Sequence, residues 1–245
     1  MMKIKSLIIC EGNTDQILIG SYIENTTEWK YQKTFKNNPL PKESVNWYIN
    51  GKSEYIGILD NGSDNFTRCI EQICLMETNE HIIDSILVVT DNDDESATEK
   101  RPKSISDIIE SKLGATFSDE RLVVNGWCSA EYDNWYGKVS IRLGYMLVPL
   151  NKQGALETFM LDALSENLPE NKEVINQVQE FLDSFKYEVY LKGRRDRVKA
   201  KMGVSLSIFA PDKSFRIMKE IIDSVDWSKF KTTKEQFGMI TELLK

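Results

Sequence analysis

Residues 86–90 constrain the fold of this chain more than any other segment. Their sequence, Ile-Leu-Val-Val-Thr, is apolar or β-branched without interruption, and acidic residues follow at once from Asp91. A strand with one face in water alternates polar and apolar residues, so an unbroken run predicts burial on both faces. The segment is therefore expected to form an inner strand of a parallel sheet covered by helices on both sides.

Other segments repeat this pattern of a strand followed by a helix. Residues 7–10 form a second short apolar run, and the apolar spacing of residues 17–23 predicts a helix after it. Further strands are expected at 45–49, 122–124 and 145–150, and further helices at 65–76 and 104–113. This alternation predicts an α/β fold with an open, mainly parallel sheet flanked by helices.

The pattern changes after Gly154, where helices alone are expected, at 155–165, 171–186, 194–208, 213–224 and 233–244. A polar connector lies near residue 166. We therefore expect an α/β domain of residues 1–165 and an all-helical C-terminal extension of residues 166–245 packed on it.

Composition excludes several kinds of site. His81 is the single histidine among 245 residues, which excludes His triads, His-rich zinc sites and two-histidine iron sites. The four cysteines form no C-x-x-C pair, which is typical of free thiols in a reducing compartment. No apolar run is long enough for a signal-peptide core or a membrane span. The expected location is cytoplasmic, without a membrane partner.

Two clusters of acids follow two of the predicted strands. Glu11 and Asp15 follow the first strand, and Asp91, Asp93 and Asp94 follow the central one. Because α/β sheets bind ligands at the carboxyl ends of their strands, both clusters are expected at one ligand site. Oxygen ligands without histidine or thiolate favour Mg²⁺, Mn²⁺ or Ca²⁺. The alternative is that the acids are solvated loop residues, an interpretation better suited to one cluster than to two.

Both clusters lie in motifs that resemble a known family. The segment L-I-I-C-E-G-N-T-D holds Glu11 and Gly12, and I-L-V-V-T-D-N-D-D holds Asp91 and Asp93. Gly12 would let the backbone turn sharply and approach a bound ligand. Together the motifs resemble the Toprim domain, a Rossmann-like catalytic module of topoisomerases, bacterial primases, OLD-type nucleases and small single-domain nucleases. The resemblance implies an acid/base and metal-ligand role for Glu11, and binding of one or two Mg²⁺ or Mn²⁺ ions by Asp91, Asp93 and the OLD-like position Asp15.

The resemblance continues downstream. The segment V-P-L-N-K-Q-G-A-L-E-T-F-M, with Gly154 and Glu157, is similar to a segment of stand-alone OLD-like Toprim proteins. It implies that Glu157 completes a second metal site. A glutamate at a helix start also suits the helix dipole without any function, so both interpretations remain open.

A nucleotide cofactor is not expected. Gly51-Lys52-Ser53 resembles the end of a P-loop, but Asn46 stands where the first glycine is required. Full-length OLD nucleases carry an ATPase half, so the resemblance implies that any ATPase would be a separate partner.

A basic segment could supply phosphate binding. Residues 186–201 carry a net charge of +5 in a chain of net charge −7. We expect this segment to bind DNA or RNA backbones, because Lys and Arg neutralise phosphates. The OLD-like resemblance implies a catalytic lysine, matched in chain order by Lys199 or Lys201. The alternative is a solvated helix face.

An aromatic segment precedes the last predicted strand. Trp127, Trp135 and Tyr136 lie in residues 127–137, which are expected to be irregular. These side chains could stack on bases or pack the loop down, and packing is favoured.

The leading hypothesis is a metal-dependent nuclease that cleaves DNA or RNA as a defence or repair effector. A glycosyltransferase would explain Asp91-Asn92-Asp93 but leave Glu11 unused. A non-catalytic alternative is a receiver-like or Toprim-like regulatory module that binds metal or a partner without turnover.

Overall fold

An eight-stranded sheet forms the centre of the described part of the chain. A computed structural model describes residues 3–35, 38–40, 43–61, 65–79, 83–118, 121–135, 137–187, 189–213, 222–223 and 225–244. The strands are β1 Lys3–Cys10, β2 Lys30–Gln32, β3 Ser44–Ile49, β4 Glu54–Asp60, β5 Ile83–Asp91, β6 Thr116–Phe117, β7 Gly126–Asn134 and β8 Gly137–Val148. Their order in the sheet is β2-β3-β4-β1-β5-β8-β7-β6.

The helices of the described residues flank this sheet. They are α1 Asn13–Thr26, α2 Phe66–Asn79, α3 Arg101–Leu113, α4 Leu156–Ser165, α5 Pro169–Ser184, α6 Arg194–Phe209, α7 Lys231–Gln236 and α8 Gly238–Leu243. A π-helical turn, Ser96–Lys100, leads into α3. None of these helices is long and apolar enough to cross a membrane.

The sheet is mixed, with parallel strands at its centre. β1 pairs in parallel with β4 and β5, and β5 pairs in parallel with β8. The outer pairs are antiparallel. The predicted α/β fold with helices around the sheet is confirmed, and its parallel part is the inner four strands.

The central strand β5 is buried on both faces, as its unbroken apolar run predicted. In β5, Leu87 and Val89 belong to one hydrophobic cluster, with α1 and α4. Ile86 and Val88 belong to the other, with α2 and α3. Because side chains alternate along a strand, the two clusters lie on opposite faces of the sheet.

Two strands were missed and two segments were assigned wrongly. β2 and β4 were not expected, and residues 122–124 are not a strand. The segment expected to be irregular forms the antiparallel hairpin β7–β8, in which Trp127 pairs with Gly144. Its polar and charged residues occupy the less buried positions of β7, while Ala130 and Tyr132 are buried. An antiparallel strand with one polar face has no continuous apolar run to reveal it.

The aromatic side chains of this hairpin differ in exposure. Trp127 is partly buried, and the Arg142 guanidinium lies 4.2 Å from its ring centroid. Trp135 is 84% exposed beyond the end of β7. Tyr136 lies outside the described residues.

The C-terminal helices share a core with the sheet. Phe237, between α7 and α8, is fully buried and contacts Tyr22 of α1 and Phe159 of α4. The helix expected at 233–244 is thus two short helices that begin at Lys231. Most of the helix expected at 213–224 lies outside the described residues.

Candidate functional site

Glu11 lies directly after β1 and is held against the end of β5. Its Oε1 accepts hydrogen bonds from the Thr90 hydroxyl, from the Asp91 backbone N–H at 3.1 Å and from Arg101 Nη1 at 3.1 Å. Arg101 also donates to Thr90 Oγ1 at 2.6 Å. The parallel pairing of β1 and β5 brings these groups together. Arg101 was not predicted as a site residue.

Asp91, the last residue of β5, is buried beside several other carboxylates. Its Oδ1 accepts the backbone N–H of Leu156 at 3.1 Å, at the start of α4. Burial and then the charge of Glu11 raise the pKa of Asp91 from its ordinary 3.8 to about 7. Glu157 and Asp93 add to the rise, while the Leu156 hydrogen bond opposes it.

Asp15 lies in the first turn of α1 and is also buried. Burial, followed by the charges of Asp91 and Glu11, raises the pKa of Asp15 well above its ordinary range. Glu157 contributes in the same direction. The structure therefore brings the predicted ligands of the two motifs into one electrostatically coupled group, which we call the acidic cluster: Glu11, Asp15, Asp91, Asp93 and Glu157.

The backbone angles of Gly12 do not require a glycine. Its φ of −151° and ψ of 169° describe an extended conformation that any residue adopts. A Cβ at this position would lie 3.4 Å from Asp15 Oδ2, an ordinary contact. The chain does bend at Glu11 and Gly12, between β1 and α1, but these backbone angles do not require a glycine, and close approach to a ligand there stays a prediction.

Asp93 and Glu157 line a cleft of about 190 Å³, which we call the acidic cleft. Arg194 and Arg195 of α6 line its other side. Asp93 Oδ1 is buried and has no hydrogen-bond partner among the described residues. Buried polar atoms are nearly always satisfied, so this oxygen suits a site that receives a ligand or a water.

Asp94 has a different environment from Asp93. Its Oδ1 accepts the backbone N–H of Ala97 at 2.9 Å, and its Oδ2 lies 3.9 Å from Arg101 Nη2. Asp94 thus accepts a hydrogen bond from a backbone N–H group of the π-helical turn that leads into α3. These contacts direct it toward Arg101.

Gly154 connects the start of α4 to the end of β5. Its N–H donates to the carbonyl of Asn92 at 2.7 Å, and Asn92 Nδ2 donates to the carbonyls of Pro149 and Lys152. A Cβ on Gly154 would lie 2.9 Å from Cβ and Oγ1 of Thr158. The absence of a side chain at Gly154 therefore permits the tight turn into α4, the helix that carries Glu157.

The cations near the acids belong to the expected basic segment, but they are Arg194 and Arg195, whereas Lys199 and Lys201 were the expected catalytic lysines. Arg195 Nη2 lies 4.0 Å from Asp91 Oδ2. Lys199 is exposed, and Lys201 lines a different cleft. Helical register favours Arg195 and Lys199 over Lys201, because they lie seven and three residues before the buried Met202 and share its side of α6.

A comparison with protein families identifies the chain. A model of the DUF3226 family, described as a protein of unknown function, matches residues 5–241. The chain belongs to this family. No curated protein and no solved structure matches it significantly. The family match covers the whole acidic cluster and α6, and its description states no activity.

The acidic cluster of this DUF3226 protein has the chemistry of a cation site, although its ligands are not assembled around one point. Among the described residues, no three His, Cys, Asp or Glu side chains form a group that could hold a metal ion as they stand. The cluster is nevertheless made of oxygen donors, which suit Mg²⁺ or Mn²⁺. Burial, and then repulsion between the carboxylates, raises the pKa of Asp15 and Asp91; together with the unpaired Asp93 Oδ1, this fits a group that a cation would stabilise.

Proposed function

We propose that this protein is a Mg²⁺- or Mn²⁺-dependent enzyme that cleaves phosphodiester bonds in DNA or RNA. The observation that carries the proposal is the acidic cluster itself. Its members come from the ends of β1 and β5 and from the first turns of α1 and α4. Arg195 lies beside it, within 4.0 Å of Asp91. We also propose that the α/β part is Toprim-like, because its two acidic motifs follow adjacent parallel strands.

Each group in this site has a proposed task. Asp15, Asp91, Asp93 and Glu157 would hold the cation, and Glu11 would be a further ligand or would accept the proton of the attacking water. A divalent cation supplies activation of that water and stabilisation of the leaving oxygen.

Two arginines have separate tasks. Arg101 and Thr90 fix the Glu11 carboxylate in place through Oε1. Arg195, whose Nη2 lies 4.0 Å from Asp91 Oδ2, would neutralise charge on a phosphate that binds next to the acidic cluster.

A cleavage assay tests the proposal. Purified protein is incubated with plasmid DNA, single-stranded DNA and RNA in Mg²⁺, Mn²⁺ or EDTA. We expect metal-dependent cleavage that falls at least about 100-fold in Glu11→Gln and in Asp91→Asn. Asp133→Asn, an exposed carboxylate on β7, is the matched control and should cleave normally. Cleavage that survives in the Glu11→Gln, Asp91→Asn double variant would overturn the proposal.

The remaining hypotheses correspond to other outcomes. Metal binding without cleavage, even after addition of a separate ATPase partner, would favour the non-catalytic module. Metal-dependent consumption of a nucleotide sugar would favour the glycosyltransferase.

A further inference from the structure

A second, strongly basic cleft lies beside the acidic cleft. It has a volume of about 380 Å³ and is walled by residues of α4, α5 and α6. Lys152, Lys172, Arg194 and Lys201 line it, and Asp162 is the one acid among its described lining residues. Its local charge is therefore +3, in a protein whose net charge is −7. We call this the basic cleft.

The two clefts adjoin. Thr158, Arg194 and Val198 line both of them. The electrostatic character therefore changes along one continuous depression, from Asp93 and Glu157 at one end to the lysines at the other. This order of charges suits a polyanion with one phosphate beside a divalent cation in the acidic cleft and the following phosphate beside the lysines of the basic cleft.

The lysines that line the basic cleft carry more positive charge than Asp162, the one acid among its described lining residues, neutralises. Lys152 Nζ lies 2.5 Å from Asp162 Oδ2. Lys201 is half-buried near the same carboxylate. Burial and repulsion from Lys152 lower the pKa of Lys201, and the charges of Asp162 and Asp183 oppose that change. An anion bound between the lysines would relieve this repulsion.

We propose that the basic cleft binds the backbone of single-stranded nucleic acid, next to the phosphodiester that occupies the acidic cleft. This inference rests on the proposed function and adds its substrate class. The cleft is a recess between helices, and a flexible single strand can bend its phosphates into a recess. A duplex holds its phosphates on a stiff rod and meets such a surface only at its rim.

The proposal also revises which cations hold the substrate. Of the basic segment 186–201, Arg194 and Lys201 line the basic cleft. Lys152 and Lys172 lie outside that segment and complete the cleft. The predicted nucleic-acid contact thus extends from α6 to α5 and to the loop before α4.

Binding in EDTA tests the inference separately from cleavage. Fluorescence anisotropy measures the affinity of the full chain for a labelled oligo(dT) strand and for a duplex of equal length, over a series of salt concentrations. We expect tighter binding of the single strand. Lys152→Gln with Lys201→Gln should weaken it at least about tenfold and should reduce the slope of log affinity against log salt by about 1.4, at about 0.7 for each lysine that contacts a phosphate of a single strand.

Matched variants keep the test falsifiable. Lys172→Gln, an exposed side chain, should weaken binding in the same direction even if the double variant folds poorly. Lys103→Gln removes an exposed charge from α3 and should bind like the wild type. Unchanged affinity in Lys172→Gln and the folded double variant, or tighter binding of the duplex, would overturn the inference. Binding that depends on these lysines without any cleavage would support it while refuting the proposed function.

Discussion

Replacement of Asp91 by Asn should stabilise the folded protein at alkaline pH. Asp91 is 5% exposed, and its pKa is raised from 3.8 to about 7, chiefly by burial. The folded state therefore retains a proton that the unfolded state has released between about pH 4 and pH 7. Stability contributed by this group is lost as pH rises through that interval. Each tenfold change in proton affinity is worth about 1.4 kcal/mol, so the full loss is roughly 4 kcal/mol at pH 8.

Asparagine is neutral at every pH and can still accept the Leu156 N–H that Asp91 Oδ1 accepts. The stability difference between Asp91→Asn and the wild type should therefore be small near pH 4 and approach ~4 kcal/mol in favour of the variant at pH 8. Urea unfolding in EDTA at several pH values measures this difference. Asp133→Asn, exposed on β7, is the control. A variant that is less stable than the wild type at pH 8, or a difference independent of pH, would refute the reasoning.

Three further predictions concern the same region. Arg101→Met removes the cation that donates to Glu11 Oε1 and should lower the free energy of unfolding by about 2 kcal/mol at pH 8. Urea titration measures this change, and an unchanged midpoint of the unfolding transition would contradict the role of Arg101. Gly154→Ala should lower the free energy of unfolding by about 1–3 kcal/mol, because the new methyl group would lie 2.9 Å from Thr158. A melting temperature no lower than that of the wild type would contradict that close contact. Saturating Mg²⁺ should raise the melting temperature of the wild type at pH 8 and not that of Asp91→Asn, whereas equal shifts in both would indicate binding elsewhere.

The central strand β5 could be predicted because residues 86–89 are apolar on both of its faces. Val88 and Val89 pack into different clusters on opposite faces, and both positions are apolar in the sequence. The strand β7 has a polar side, so its sequence showed no unbroken run. Strand character in such a segment depends on its pairing with β8, which no local pattern records.

The acidic cluster could be predicted for a related reason. Glu11 and Asp91 follow strands that pair in parallel, so the topology alone brings them to one edge of the sheet. Arg101 reaches that edge from the start of α3, across the turn that follows β5, and its position depends on how that helix packs. The rotation of α6, which the buried Met202 indicates, favours Arg195 over Lys201, but the choice of Arg195 over Lys199 depends on how α6 packs along its length.

Titration of Mn²⁺ into the full chain tests the central claim most directly. Electron paramagnetic resonance of free Mn²⁺ at pH 8 reports how much of the ion the protein binds. The acidic cluster predicts saturable, near-stoichiometric binding that Mg²⁺ displaces, that Asp91→Asn with Asp93→Asn abolishes and that Asp133→Asn retains. Mn²⁺ that stays free at every ratio, or binds equally to the double variant, would contradict the assignment of a divalent cation to these carboxylates.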